Sequence, residues 1–525
     1  MNTHRFYPGC ACCPMNRRQF LAAAGTASAA MAAEWSARLA AAAESPALSA
    51  NGKVRIRIVY SLHETKQNRP DWPNTGFDFA PVMDRINSRL RGRFPGFEFL
   101  PVEANSPDQA KKILADDQDR GIDGYLVYQM NCWNRVVQTI AESGKPVLYA
   151  DFQYGGSGGF LVYTAGFLRQ QAPNVGFVAS SRFPDLAAAV ECFADVKSSG
   201  HAAGFAEATR RVRIARTPAA GDLACTADPL SVLPTAECVQ RMKASRILAV
   251  RGQESGPAAP VMGIPVEHVP FAEVNEAWKA ADPDQARALA DRWEKTAERI
   301  EGVSRETLEQ SAAMFLAQKA VLRKHDANAI TINCLGGFYG GHIHAYPCLG
   351  FHELLNEGLV GACECDVRST ATMVAITTLT QGRPGYISDP VIDTSKRQII
   401  YAHCVASNRA FGPRGQANPF QILTHSEDRQ GASVRSLLPV GYLTTTLEIA
   451  PDRKEILLHQ GKAVANVPDD RACRTKLAAE PLGDLEKLFT LWDHWGWHRV
   501  TAYGDLKAPV YALADAIGWK VIEEA

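Results

Sequence analysis

The chain has 525 residues, 46% hydrophobic and 21% charged, which is a globular composition and more length than one ordinary domain uses. Its 56 basic and 56 acidic side chains cancel, and no run of Lys and Arg breaks the balance. Nucleic acid and anionic membranes are therefore excluded as expected partners, and a small or neutral ligand is favoured.

At the start, Asn16-Arg17-Arg18-Gln19-Phe20-Leu21 precedes a weakly apolar Ala/Gly/Ser/Thr stretch reaching about Ala33. That is the layout of a twin-arginine export signal, whose hydrophobic part is too short and mild to span a bilayer. Residues 1–50 are assigned to it, with cleavage after Ala43 or Ala50, and the mature protein to the periplasm. Cys10, Cys12 and Cys13 would leave with the signal. The other ten cysteines form no small-scaffold disulfide pattern, and none sits in a lipobox, so no lipid anchor is expected.

From Val54 onward short apolar strands alternate with helix-length segments. Strands are expected at 54–60, 97–102, 125–128, 146–150 and 175–179, with helices near 79–92, 107–117, 132–143 and 184–195. This alternation predicts a Rossmann-like, doubly wound α/β domain over 51–200. Looser alternation continues through 201–382, with a strand at 247–250, a charged helix at 283–300, a strand at 329–334 and a helix at 346–357. Beyond Gly382-Arg383-Pro384, the runs "RQIIYAHCVAS", "YLTTTLEIA" and "EILLHQGKAVANV" read as strands, so 383–525 is a β-rich C-terminal domain closed by a helix near 506–517.

The ionisable groups that carry chemistry gather late in the chain. Glu364 and Asp366 stand in "GACECDVRST" just after an apolar run, where acids cost free energy unless compensated. Asp389 follows in "GRPGYISDP", His403 in "IIYAHC", and His494 and His498 in "HWGWHRVTAYGD". Carboxylates and imidazoles at element ends make a mixed oxygen and nitrogen donor set for a divalent metal. Cys334, His342, His344 and Cys348 match no closed zinc pattern. Their glycine-rich surroundings read as a loop at a strand's carboxyl end. The stretch "DFQYGGSGGF" (151–160) reads as a mobile flap or a flexible turn.

The run "NEGLVGACECDVRSTATMVAITTLTQGRPGYISD", followed by "YAHC", "CRTKL" and "HRVTAYGDLKAPVYALADAIGWKVI", resembles the carboxyl-terminal half of the L-fucose isomerase and L-arabinose isomerase family. At motif level the resemblance covers about 355–520. It implies a metal-dependent aldose–ketose isomerase, an enediol proton transfer, manganese as cofactor and a homo-oligomer. It casts Glu364 and Asp389 as metal ligands that also serve proton transfer, and His403 and His498 as further ligands. Relatives often carry two adjacent histidines where this chain has Trp497-His498, which leaves His494 as the rival late ligand. Asp366 and Arg474 are expected near substrate, Asp366 alternatively orienting the site or a backbone turn. An exported sugar-binding protein without turnover and a metal-assisted hydrolase or epimerase are the competing readings, since fold does not fix reaction.

Overall fold

The structure is a computed structural model that describes residues 52–525. The expected export signal, with Arg17, Arg18 and the first three cysteines, lies outside the described residues. Among the described residues no helix is long and apolar enough to cross a membrane. The chain forms two compact units, one holding the residues up to Asn68 and Gly76–Thr217, the other Arg69–Thr75 and Pro218–Ala525.

The first unit is α/β. Strands β1 (Val54–Ser61), β2 (Phe97–Ala104), β3 (Gly124–Gln129), β4 (Val147–Asp151) and β5 (Val175–Val178) form one parallel sheet in the order β2-β1-β3-β4-β5. β1 reads VRIRIVYS: Ile56, Ile58 and Val59 are fully buried, and the buried Arg57 is paired with Asp117, its Nε donating to Oδ2 at 2.9 Å. Helices return the chain between strands, and their starts follow local chemistry. The helix Pro107–Asp116 has proline in its first turn, and the Ser106 hydroxyl accepts from the Gln109 amide.

The stretch 151–160 is neither a flap nor a loose turn. β4 ends at Asp151, the Ser157 hydroxyl donates to Asp151 Oδ2 at 2.9 Å, and a helix runs from Ser157 to Arg169. Gly155 and Gly156 are buried against the backbone of Met130 and Gln129, where a side chain would collide. The glycines serve close approach rather than flexibility.

The second unit has three sheets. β6 (Ile247–Val250), β7 (Gly256–Val261) and β8 (Ile264–Val269) join β10 (Ala329–Ile332) and β11 (Val360–Cys363) in the order β11-β10-β6-β8-β7, parallel except for β7. The charged helix ends at Thr296 rather than 300, because β9 (Arg299–Glu301) pairs with a strand far along the chain. The glycine-rich run after β10 is partly helical, Cys334–Tyr339, rather than an open loop.

Beyond residue 383 the chain is β-rich, as expected, and it closes on itself. β12 (Tyr386–Asp393) and β13 (Gln398–His403) come first; β14 (Phe420–Leu423) and β15 (Ser433–Ser436) stand apart in a small sheet with β9. β16 (Leu443–Ala450), β17 (Glu455–Asn466), β18 (Thr475–Pro481) and β19 (Arg499–Tyr503) complete a ring β16-β19-β12-β13-β18-β17-β16 in which every pairing is antiparallel. The ring is a six-stranded barrel, and closure removes its free edges. β20 (Lys520–Glu523) adds to β17.

Candidate metal centre

Four side chains from four places in the second unit converge. Glu364 follows β11 with φ of 66°, and Cys365 has φ of 53°; two consecutive left-handed non-glycine residues are uncommon and mark a turn held by its surroundings. That turn ends at Asp366, which caps the helix Val367–Leu379 by accepting from the amides of Arg368 at 2.9 Å and Ser369 at 3.1 Å. His403 is the last residue of β13. Asp389 lies inside β12 rather than at its end, opposite Ala402 of β13. On the other side of β12, Ser388 pairs with Arg499, so continuing that register by one residue sets His498 opposite Asp389. Gly496, with φ of 76°, provides the left-handed turn that brings Trp497 and His498 to the start of β19.

Glu364, Asp389, His403 and His498 each offer one ligand-type atom, and these atoms lie within 4.8 Å of one another. His498 Nε2 is 3.1 Å from Asp389 Oδ1 and 3.4 Å from Glu364 Oε2, while His403 Nε2 is 3.9 Å from an oxygen of each acid. Both ring nitrogens of His403 and Oδ1 of Asp389 are buried without a hydrogen-bond partner. Orphaned buried polar atoms are costly, and of these Asp389 Oδ1 and His403 Nε2 lie on the side of the cluster, where an ion would satisfy them. Two carboxylates and two imidazoles form a borderline-hard donor set that suits a divalent ion such as manganese, so the residues fit the metal that the resemblance implies.

The electrostatics follow from burial and crowding of acids. Burial pushes the Asp389 carboxyl up, with the charge of Glu364 acting the same way and His498 opposing both. Burial would depress the His498 imidazolium, but contacts with Asp366, Asp389 and Glu364 hold it well above the usual histidine range. The reverse holds for Asp366: despite burial, its bond to His498 and the Arg368 charge keep it below the usual carboxylate range. His498 Nδ1 lies 2.8 Å from Asp366 Oδ2, and an ionised acid only accepts, so Nδ1 carries a proton. Nε2 is the nitrogen left to face the cluster.

The other expected residues lie elsewhere. His494 sits in the short helix Trp492–Trp495, its ring beside Trp495 and its carbonyl accepting from Arg453; it is not in the group. Arg474 is 2% exposed, so it is no ordinary surface arginine, and its Nε and one terminal nitrogen donate to the carbonyl and hydroxyl of Thr424. Arg474 thereby anchors the segment that carries His425, Glu427 and Asp428. Glu427 went unnoticed in the sequence. Burial, opposed by His425 and reinforced by Asp71 and Glu364, pushes its carboxyl up to about 8, and Tyr339 donates to it at 3.1 Å. Trp72 also went unnoticed; it packs edge-on against Trp497 at 5.0 Å, beside His498.

No family model matches the chain. It is 25% identical over 224 residues to proteins named sulfoquinovose isomerase from Priestia aryabhattai and Priestia megaterium, covering 41% of this chain and 48% of each relative. A third protein of that name, from Alkalicoccus urumqiensis, is 24% identical over 160 residues, 30% of this chain and 35% of its own. The chain thus spans about half the length, or less, of the curated relatives it matches. A sugar ABC transporter structure from Yersinia enterocolitica aligns over 54% of this chain and 66% of its own, at 10% identity and a TM-score of 0.16, too low to bear on fold.

Proposed function

We propose that this protein is a sugar isomerase whose working centre is the Glu364, Asp389, His403 and His498 cluster, holding a divalent ion, with manganese the first candidate. The observation that carries the reading is the convergence of four ligand-type atoms within 4.8 Å, at a place where Asp389 Oδ1 and His403 Nε2 have no hydrogen-bond partner. The naming of its distant relatives as sugar isomerases supports it. When bound, such an ion supplies Lewis acidity to neighbouring oxygens of a substrate.

The chain's own residues supply the rest. Interconverting an aldose and a ketose moves the carbon-bound proton from C2 to C1 and the hydroxyl proton in the same sense from O2 to O1, so no oxidant or reductant is consumed. Glu364 and Asp389 are the carboxylates placed to accept and return the carbon-bound proton. Asp366 holds His498 with Nδ1 as donor. Glu427, neutral up to about pH 8, is an acid able to donate to a sugar oxygen. The doubly wound reading of the first sheet, supported by its strand order, and export through the twin-arginine route belong to the same proposal.

The test is incubation of the manganese-loaded protein with pentoses, hexoses and sulfoquinovose in deuterated water, followed by NMR at C1 and C2. Deuterium at either carbon together with ketose product is expected. Saturable binding with no exchange for any sugar would replace the isomerase by a sugar-binding protein.

A further inference from the structure

A hydrogen-bond chain runs behind His498 into the core. His498 Nδ1 donates to Asp366 Oδ2; Ser369 Oγ is 2.9 Å from that same oxygen and 2.7 Å from Glu448 Oε2. Glu448 Oε1 accepts from the Ile449 amide at 2.8 Å, and Glu448 and Ser369 are fully buried. A serine hydroxyl owns one proton, yet this one faces a carboxyl oxygen on either side. With both acids ionised, one of the two short oxygen contacts would contain no hydrogen, setting lone pair against lone pair away from water.

One added proton removes the conflict, and the surroundings decide where it sits. Asp366 accepts from two helix-terminal amides and from His498, with the Arg368 charge beside it, all of which favour its ionised form. Glu448 has a single amide besides the serine.

We propose that Glu448 is a neutral carboxylic acid whose Oε2–H donates to Ser369, turning the serine hydroxyl onto Asp366 and fixing His498 with Nδ1 as donor and Nε2 toward Glu364 and Asp389. Glu448 is thus a positioning residue, and this role rests on the metal-centre reading above; the proton assignment does not. The charged groups facing Glu448 are Asp366 and Arg368. Burial and then the Asp366 charge push its carboxyl up to about 7, with Arg368 opposing, so the proton is kept in acid and lost in mild alkali.

Infrared difference spectra of the metal-free full chain, wild type minus Glu448→Gln, test the proton directly. A carboxylic-acid carbonyl band is expected at slightly acidic pH, fading in alkali; a difference spectrum with no such band overturns the proposal. Manganese affinity, followed by the resonance of the free ion, tests the positioning. Glu448→Ala and Ser369→Ala should bind about 10- to 100-fold more weakly, with Glu448→Gln recovering most of the loss because its amide can donate to the serine. Glu448→Ala binding as tightly as wild type overturns the positioning role. If Glu448→Ala does not fold, Ser369→Ala and the wild-type response to alkali, absent in Glu448→Gln, decide the same point. A wild-type chain that shows the band but binds no manganese defeats the metal reading and leaves the proton where it is placed.

Discussion

Glu524 is 1% exposed, and its carboxylate is shared between His459 at 2.8 Å and Arg499 at 2.6 Å, with Tyr401 closing the far side of the imidazole. Burial alone would raise this acid, but Arg499 and His459 lower it from 4.5 to about 2. The native state therefore holds Glu524 ionised where the unfolded chain is already taking up protons. Its contribution is present above about pH 4.5 and is lost as the pH falls toward about 2. Glu524→Gln leaves Arg499 buried beside a neutral partner, and loss of one member of a buried pair costs about 3 to 5 kcal/mol. The unfolding free energy of this variant from urea titration at neutral pH should fall by that amount, lowering the midpoint, and its further loss in acid should be smaller than that of wild type. Equal midpoints at neutral pH would show that the pair is energetically idle. At the metal centre, Glu364→Gln should abolish manganese binding by calorimetry, whereas Asp366→Asn should weaken it about 10- to 100-fold, because Asp366 orients His498 and caps the following helix without being one of the four converging groups. Variants that behave alike would move the ligand role to Asp366. Glu364, Asp389 and His403 were legible because their residue types and order resemble a family pattern, which left the late histidine open between His494 and His498; of these two, it is His498 that lies in the group. Glu448 was visible in "TTTLEIA" as one acid in an otherwise uncharged strand, but its partner Ser369 lies 79 residues away, and no local pattern links them.

Among elements, the strands of the first sheet were legible to within about two residues, since apolar runs bounded by turn residues carry their own signal. The helix Ser157–Arg169 was not, because Gly155, Gly156, Gly158 and Gly159 argue for a loop when their neighbours are unknown. What decides the matter is Gln129, whose backbone leaves no room for a side chain at Gly156. Gly156→Ala should therefore destabilise the first unit by about 1 to 3 kcal/mol, the usual cost of overpacking. Its urea midpoint should drop while manganese affinity, which belongs to the second unit, stays unchanged. A midpoint equal to wild type would mean that the turn yields. Barrel closure was likewise invisible: each strand could be read from its own residues, but the pairing that completes the ring depends on registers between distant segments.

At the scale of the whole molecule, an ion bound only by the native state at about a hundred times its dissociation constant adds about 2.7 kcal/mol. Manganese should raise the melting temperature, and chelation should lower it. Hydrogen exchange should slow at the ends of β11, β13 and β19 while the amides of β1 to β5 keep their rates. Protection spread evenly over both units would contradict a single centre in the second. Export is a separate prediction. Arg17→Lys combined with Arg18→Lys should leave precursor in the cytoplasm on fractionation, since Lys lacks the guanidinium geometry; normal processing of that variant would remove the export assignment.

The path of the chain through residues 69–75 governs how the protein can be made. This segment belongs with the second unit: the Ala472 amide donates to the Pro73 carbonyl, the Thr75 amide to the Glu427 carbonyl, and Arg429 to the Asn74 side chain. Asn74 and Arg429 are 355 residues apart, which at ordinary elongation rates is on the order of 20 to 70 s of synthesis. A ribosome-bound chain can complete the sheet of the first unit, yet it must carry Trp72 and its neighbours undocked until the last hundred residues emerge. Protease should therefore cut stalled chains at this segment and spare it in the released protein, making cleavage there a clock for the final step of assembly.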